Sequence, residues 1–369
     1  MNTGERKALL QLMVIEGLVT LAGSLAGVFS IVFLVNQGGV SLESASLFYV
    51  EAFAVAVVVV LLSIKFGVKK PRMMMFLGVL LQGCFYLSFV VLEGNLLLVV
   101  APIFFGCYIV AFWVPFNILF LEFTSKGNRG EIISMVFLVY PIVSIFSPIL
   151  GGFLISRVSY DLVFISALVA LLSNAVLIWL WPVTDSKPYR PKLSFEGVGK
   201  RLSAGFFFEG GQEGVWFTCN SLLAMLFAKD EFMLGILLGI FALAGGIAAV
   251  FIGRVSDRKG SRAPYAIAGA AVSAPFILMA AMTADTRLYA VAMVALSFTL
   301  NMMAIFLFTM SSDRMERDVP SQAMTRELLL NAGRVVGGLV CAVVIFATGD
   351  IRAAFAASAF MVAFAAVAK

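Results

Sequence analysis

Five ionisable side chains interrupt stretches that are otherwise apolar: Glu16, Glu51, Glu209, Glu213 and Arg334. A charge inside a long apolar segment costs at least about 2.5–3.5 kcal/mol on insertion scales, so each asks for a reason. Glu209 and Glu213 stand four residues apart, which puts both carboxylates on one face of a helix. Two carboxylates that close cannot both be charged cheaply in a low dielectric, and a pair that shares its protons is what a proton-exchange site requires. Arg334 is the single cation of the set and could neutralise Glu209 or a neighbouring carboxylate. Trp216 and Asn220 follow the glutamate pair, and Trp113, Asn117 and Asn301 add further donors and aromatic faces suited to an amphipathic ligand. Other chemistry is excluded or weakened. The chain has no histidine, which removes imidazole metal sites and His-based catalysis. Cys84, Cys107, Cys219 and Cys341 all fall in apolar stretches without CxxC spacing and read as small core residues. No nucleophile and base pair is visible, so neither an enzyme nor a cofactor is expected.

Composition says which elements must hold these groups. Of 369 residues, 62% are hydrophobic and 13% charged, with a mean hydropathy of +1.03, far from the mix of a soluble domain. Apolar runs of about 20 residues recur, each long enough to cross a hydrocarbon core as a helix. They predict helices at 9–36, 44–65, 72–92, 96–121, 131–156, 160–182, 202–228, 233–253, 264–283, 286–311, 326–347 and 351–368. The fold class is therefore an all-α membrane protein of twelve transmembrane helices. Nothing alternates with period two over the lengths that a membrane barrel needs. The first run is too long for a signal peptide, carries Glu16 inside it and leads into a second span, so it reads as a retained helix.

Basic residues orient the bundle, because short cytoplasmic loops collect them. Placing both termini inside puts Lys65, Lys69, Lys70 and Arg72, the Lys187 to Arg201 stretch, and Arg254, Arg258, Lys259 and Arg262 on the cytoplasmic side. Outside connections then hold only Arg157, Lys229, Arg287 and Arg352. The expected setting is the plasma membrane of a bacterium or archaeon, with the lipid bilayer as solvent. The net charge of +5 is a topology signal, and no nucleic-acid partner is expected.

The longest polar stretch, Thr184 to Arg201, contains Pro188, Pro191 and five basic residues and reads as a linker. It divides the chain into a six-helix bundle at 1–182, the linker at 183–201 and a second six-helix bundle at 202–369. Faint echoes support a duplication: Ile15-Glu16-Gly17 matches Phe208-Glu209-Gly210, and Arg129-Gly130-Glu131 before helix 5 resembles Arg326-Glu327 before helix 11. An even number of spans per half makes the repeats parallel about an axis along the membrane normal.

After helix 8 the chain reads Gly253-Arg254-Val255-Ser256-Asp257-Arg258-Lys259-Gly260-Ser261-Arg262, a fit to G-x-x-x-D-R-x-G-x-R. In this it resembles the major facilitator superfamily, in which the signature lies on the cytoplasmic loop between the second and third helices of a half. Pro148-Ile149-Leu150-Gly151-Gly152 is similar to the family's P-x-x-G-G in helix 5. The resemblance implies a cytoplasmic latch: Asp257 facing a helix N-terminus of the opposite half, with Arg258 and Arg262 paired near Arg129 and Glu131. Gly253 and Gly260 would permit the close approach and the turn. The matching loop of the first half departs from the pattern, with Ser63, Gly67 and Lys70 at its defined positions and only Arg72 fitting. Helix 4 lacks the Arg that the family's drug and proton antiporters carry there.

The resemblance also implies that helices 1, 4, 7 and 10 line a central cavity, which would hold Glu16, Glu209 and Glu213. The expectation is a secondary transporter of a small organic solute, working by alternating access and coupled to protons. Export of an amphipathic or cationic compound is favoured, because the cavity would be acidic, apolar and aromatic. Import by the same fold, a lipid or lysolipid flippase with an opening between helices 2 and 11 or 5 and 8, and a non-transporting sensor or scaffold are the alternatives. A monomer is expected.

Overall fold

The structure of the chain, a computed structural model, describes residues 3–122, 129–181, 187–259, 263–314 and 318–365; side chains are described except at 3–6, 122, 129–141, 196–197, 249–259, 263, 265–266, 309 and 312–314. Twelve long helices make up the described residues. The first, α1, runs as Thr3–Ala22, passes through a π-helical turn at Gly23–Gly27, and continues as Val28–Asn36. Then follow α2 (Leu42–Phe66), α3 (Pro71–Val91), α4 (Gly94–Glu122), α5 (Arg129–Arg157) and α6 (Tyr160–Leu180). After a one-turn linker helix, Phe195–Val198, come α7 (Lys200–Met225), α8 (Glu231–Lys259) and α9 (Ala263–Met282). The chain ends with α10 (Thr286–Arg314), α11 (Val319–Thr348) and α12 (Ile351–Ala365).

Two of the boundaries that differ from the sequence expectation bear on candidate residues. α8 continues to Lys259, so Gly253, Asp257 and Arg258 lie on its last turns rather than in a loop. α11 begins at Val319, seven residues before the expected start at 326, so Arg326 and Glu327 lie two turns inside the helix and not at its first residues. Asp318 explains the second difference: its Oδ1 accepts the Ser321 N–H at 3.2 Å, and Pro320 occupies the first turn, where no backbone donor is needed.

One end of the bundle is made of short turns, and capping residues mark it. Ser41 accepts from Ser44 N to start α2, and Ser159 accepts from Leu162 N to start α6. Asp230 accepts from Met233 N at 2.8 Å and Asp285 from Leu288 N at 2.8 Å, starting α8 and α10. Each cap satisfies a donor that a helix start leaves open.

Packing within the first six helices recurs within the last six. α1 packs on α5 and α6, α3 on α4 and α6, and α2 on α4; likewise α7 packs on α11 and α12, α9 on α10 and α12, and α8 on α10. Two long seams join the groups, α5 along α8 and α2 along α11. In lipid such seams are held by close packing, since tails solvate apolar side chains as well as a neighbouring helix does. Gly152 illustrates the requirement: a Cβ there would collide with the backbone carbonyl of Glu231 at the start of α8. Near the short turns the groups are also pinned by Tyr160 Oη donating to Glu231 Oε1 at 3.0 Å and by Phe232 N–H donating to Ser156 Oγ at 3.0 Å.

At the opposite end the linker does the bridging. Val68, in the turn after α2, exchanges two backbone hydrogen bonds with Tyr189, at 2.8 and 3.0 Å. The N–H groups of Lys192 and Ser194 then donate to Ser321 Oγ at 2.8 Å and Thr325 Oγ1 at 2.9 Å in the first turns of α11.

Eight described helices are long and apolar enough to cross a membrane, and α5, α9 and α12 contribute shorter apolar segments. Large apolar side chains such as Phe146, Val343 and Phe360 are exposed on the outside of the bundle. Such a belt is what a lipid-facing surface requires. The protein is an integral membrane bundle.

Candidate functional site

α7 is a long helix without an apolar segment long enough to mark it as a membrane span. It carries Glu209, Gln212, Glu213, Thr218 and Asn220. It tolerates them because most of its surface is covered by protein: α7 touches α11, α12, α8 and α10 in its own group and α1 and α2 of the other. Polar groups at membrane depth are sustainable only where neighbouring helices or a cavity receive them.

The α7 and α11 backbones meet at Gly214, where a Cβ would collide with the carbonyl of Arg334. That approach brings the charges together. Arg334 donates from Nε and Nη2 to the same oxygen, Glu213 Oε2, at 2.7 and 2.6 Å. Its Nη1 donates to Asn331 Oδ1 at 2.9 Å, and Asn331 Nδ2 donates in turn to the Glu327 carbonyl at 2.8 Å. The guanidinium also lies 5.4 Å from the ring centroid of Phe53 on α2, a cation–π contact across the seam between the two groups. Phe217 on α7 extends this contact, packing at 5.3 Å on Tyr49, 5.2 Å on Phe53 and 6.1 Å on Phe105 of α4.

Glu209 lies one turn before Glu213 and is 4% exposed, and its Oε2 has no hydrogen-bond partner. The charges that act on it are those of Glu213, Arg326, Arg334 and Glu327. Three carboxylates thus share this seam with two guanidinium groups. Arg326 pairs with Glu327 at 3.2 Å and lies over the rings of both Phe206 and Phe308, at 5.2 and 4.9 Å.

The fold therefore assembles Glu209, Glu213 and Arg334 into one cluster. The other candidates stand apart from its hydrogen bonds. Glu16 is buried on α1 with Oε2 lacking a partner, and Glu51 on α2 is exposed. Trp113 on α4 donates to Tyr108 Oη at 3.0 Å and packs edge-on against Phe112 and Phe116, with Asn117 half-buried one turn on. Trp216 packs on Phe355 of α12, and the Asn220 Oδ1 is buried without a partner. Asn301 donates to its own helix at Ser297 O, 2.8 Å away, and lies against Gly245 of α8. Of the proposed latch, Gly260 and Arg262 lie outside the described residues, as do the side chains of Asp257, Arg258, Arg129 and Glu131 and the surroundings of Gly253. In the first half, Arg72 donates to Ile178 O at 3.1 Å and lies over the Trp179 ring.

Asn331, Glu327, Arg326 and Phe53 were missed as site residues. Asn331 had a signal, standing three residues before Arg334 on the same helix face. Arg326 and Glu327 stand at the expected edge of helix 11, and only the longer α11 carries them two turns inside the bundle. Phe53 had none, because contact across two helices leaves no trace in spacing. Among the described residues, no group of three or more His, Cys, Asp or Glu side chains is placed to hold a metal ion. A groove of about 600 Å³ lined by Ala244, Ile247, Val291, Phe298 and Thr299 lies along α8 and α10, and it holds none of the cluster's charges.

Known proteins bear on this arrangement. Residues 12–229 match the family model of the Major Facilitator Superfamily. A Bacillus subtilis (strain 168) protein, YqgE, described only as uncharacterized, is 24% identical, the match covering 92% of this chain and 83% of that one. Among solved structures, the human organic anion transporter MFSD10 (TETRAN) superimposes with a TM-score of 0.68 at 15% identity over the whole of both chains. The E. coli fucose:proton symporter FucP does so with a TM-score of 0.66 at 14% identity, covering 98% of this chain and 97% of that one. With the family model covering more than half of its length, and with a twelve-helix bundle shared with both solved transporters, the chain belongs to the Major Facilitator Superfamily.

Proposed function

We propose that the protein is a proton-coupled secondary transporter that moves a small amphipathic organic cation outward by alternating access. The observation that carries this is the buried Glu209, its Oε2 unpartnered, beside the Glu213–Arg334 pair on a helix that touches both groups of six. Such a carboxyl can bind a proton, and its charge balance changes when it does. Three carboxylates against two guanidinium groups leave a deficit that a cation or a proton can fill, and the rings of Phe53, Tyr49 and Phe217 offer a cation faces to rest on. A solved relative in fold is described as a proton symporter, so proton coupling is compatible with this architecture.

The two six-helix groups, meeting at the α2–α11 and α5–α8 seams, rock about the site, both termini remain in the cytoplasm, and the protein works as a monomer. Import by the same machinery is the second reading, since nothing in the cluster gives direction. Lateral entry of lipid is disfavoured, because both seams through which it would pass are packed. The test is uptake of ethidium into proteoliposomes under an imposed pH gradient. Accumulation that reverses with the gradient supports the proposal; accumulation indifferent to it overturns proton coupling.

A further inference from the structure

Arg326 occupies an unusual position for a guanidinium. It lies over the rings of both Phe206 of α7 and Phe308 of α10, with centroids at 5.2 and 4.9 Å. Its Nη1 reaches Glu327 Oε1 at 3.2 Å, while its Nε is buried and lacks a hydrogen-bond partner. Phe206 stands three residues before Glu209, so it is the neighbour of Glu209 one turn back on the same face of α7. The ring that carries the Arg326 cation therefore adjoins the carboxylate whose Oε2 is also buried and unpartnered. A buried donor and a buried acceptor on facing helices, both unmade, carry a desolvation cost that a bond between them would remove.

We propose that Arg326 is a two-position counter-ion for Glu209, resting on Glu327 while Glu209 is protonated and donating its Nε–H to Glu209 once that proton has left. This rests on the proton-exchange reading above. The balance is simple: the proton passes from Glu209 to water, the carboxylate charge it leaves meets a guanidinium that stays protonated throughout, and no other covalent bond changes. Arginine suits the task because it remains charged at any working pH and its flat guanidinium can rest on aromatic faces while its donors change partner. The groups facing Glu209 are Glu213 on its own helix and Arg326, Glu327 and Arg334 on α11; among the described residues no charge on the other helices packed against α7 joins them. Since Phe308 belongs to α10 and Glu327 to α11, the turn of one side chain alters contacts among three helices toward the end where the linker crosses. Arg326 is thus a positioning residue that converts a protonation event into a packing change.

The test needs no substrate. Thermal unfolding of the detergent-purified full-length protein is measured at pH 6 and pH 9.5 for wild type, R326Q, E209Q and the double variant. The expected result is that R326Q lowers Tm by about 3 °C more at pH 9.5 than at pH 6, and that this difference vanishes in the E209Q background. An equal loss at both pH values overturns the proposal, and so does a pH-dependent loss that persists without Glu209. If R326Q does not fold, R326M replaces it, with the same criteria, because methionine keeps an apolar stem against the two rings and carries neither the charge nor the donors. An ethidium assay indifferent to the pH gradient would instead strike the underlying proton coupling, so the two failures are distinguishable.

Discussion

Arg334 of α11 spends two of its donors on one oxygen of Glu213 of α7, leaving the second carboxylate oxygen of Glu213 for other partners. The side chain of Glu213 is still 31% exposed, whereas that of Arg334 is 14% exposed, so the pair is anchored on the α11 side and open on the other. That asymmetry fits a site in which the glutamate exchanges partners and the arginine holds its place.

Removing one member of such a pair leaves the other buried without compensation. We expect R334Q to lower the unfolding free energy by about 2–3 kcal/mol, reduced from the fully buried case because Glu213 is partly exposed, and R334Q/E213Q to recover most of it. Chemical denaturation in detergent measures both. R334K is expected not to restore the wild-type value, since an ammonium lacks the planar fork that serves Glu213 and Asn331 together.

Proton coupling is expected to fail selectively at the glutamates. E209Q and E213Q should each reduce accumulation of ethidium driven by a pH gradient by tenfold or more, while exchange of labelled for unlabelled ethidium without a gradient falls by no more than about threefold. Gradient-driven accumulation at the wild-type rate in both variants would remove the carboxylates from the mechanism.

The α7–α11 approach admits no side chain at Gly214. G214A should cost about 1–3 kcal/mol through the collision with the Arg334 carbonyl. G23A, at a position where an added Cβ meets nothing within 4 Å, serves as the control and should change Tm little.

The linker is held to α11 by side-chain oxygens of Ser321 and Thr325, both buried beneath it. In the S321A/T325A variant the strap loses both acceptors. Trypsin should then cut after Lys192 several-fold faster than in wild type; Lys187 and Arg190 precede prolines and remain poor sites. Unchanged proteolysis would show that the backbone bonds to Val68 suffice to hold it.

The Sγ atoms of Cys219 on α7 and Cys341 on α11 are 3.4 Å apart. A small membrane-permeant oxidant should join them, with Cys84 and Cys107 left free, as read by mass spectrometry of unreduced peptides. Because both belong to the last six helices, the cross-link should leave gradient-driven transport within about twofold of the untreated protein if those helices move as one body. Loss of transport on cross-linking, restored by reductant, would show that α7 and α11 slide against each other.

The number of helices, their approximate bounds and the membrane setting were legible in the sequence, because burial in lipid demands long apolar runs whatever the tertiary arrangement. The loop signature from Gly253 to Arg262 carried the family, since it is a matter of residue types at fixed spacing. Glu209 and Glu213 also declared themselves, being charges where lipid forbids them. What only the tertiary structure decided was partnership. Spacing leaves Arg334 free to neutralise Glu209 or a neighbouring carboxylate, and the fold pairs it with Glu213 because the approach at Gly214 sets the register of α7 on α11. Spacing leaves Arg326 and Glu327 at the edge of helix 11; the cap at Asp318 extends α11 and places them two turns inside it, in the same seam. Phe53, on a helix of the other group, reaches Arg334 through the packing of α2 along α11. Spacing along a chain reports which residues share a helix face; which faces meet is settled by the close packing of whole helices, where one glycine can shift every pairing along a seam.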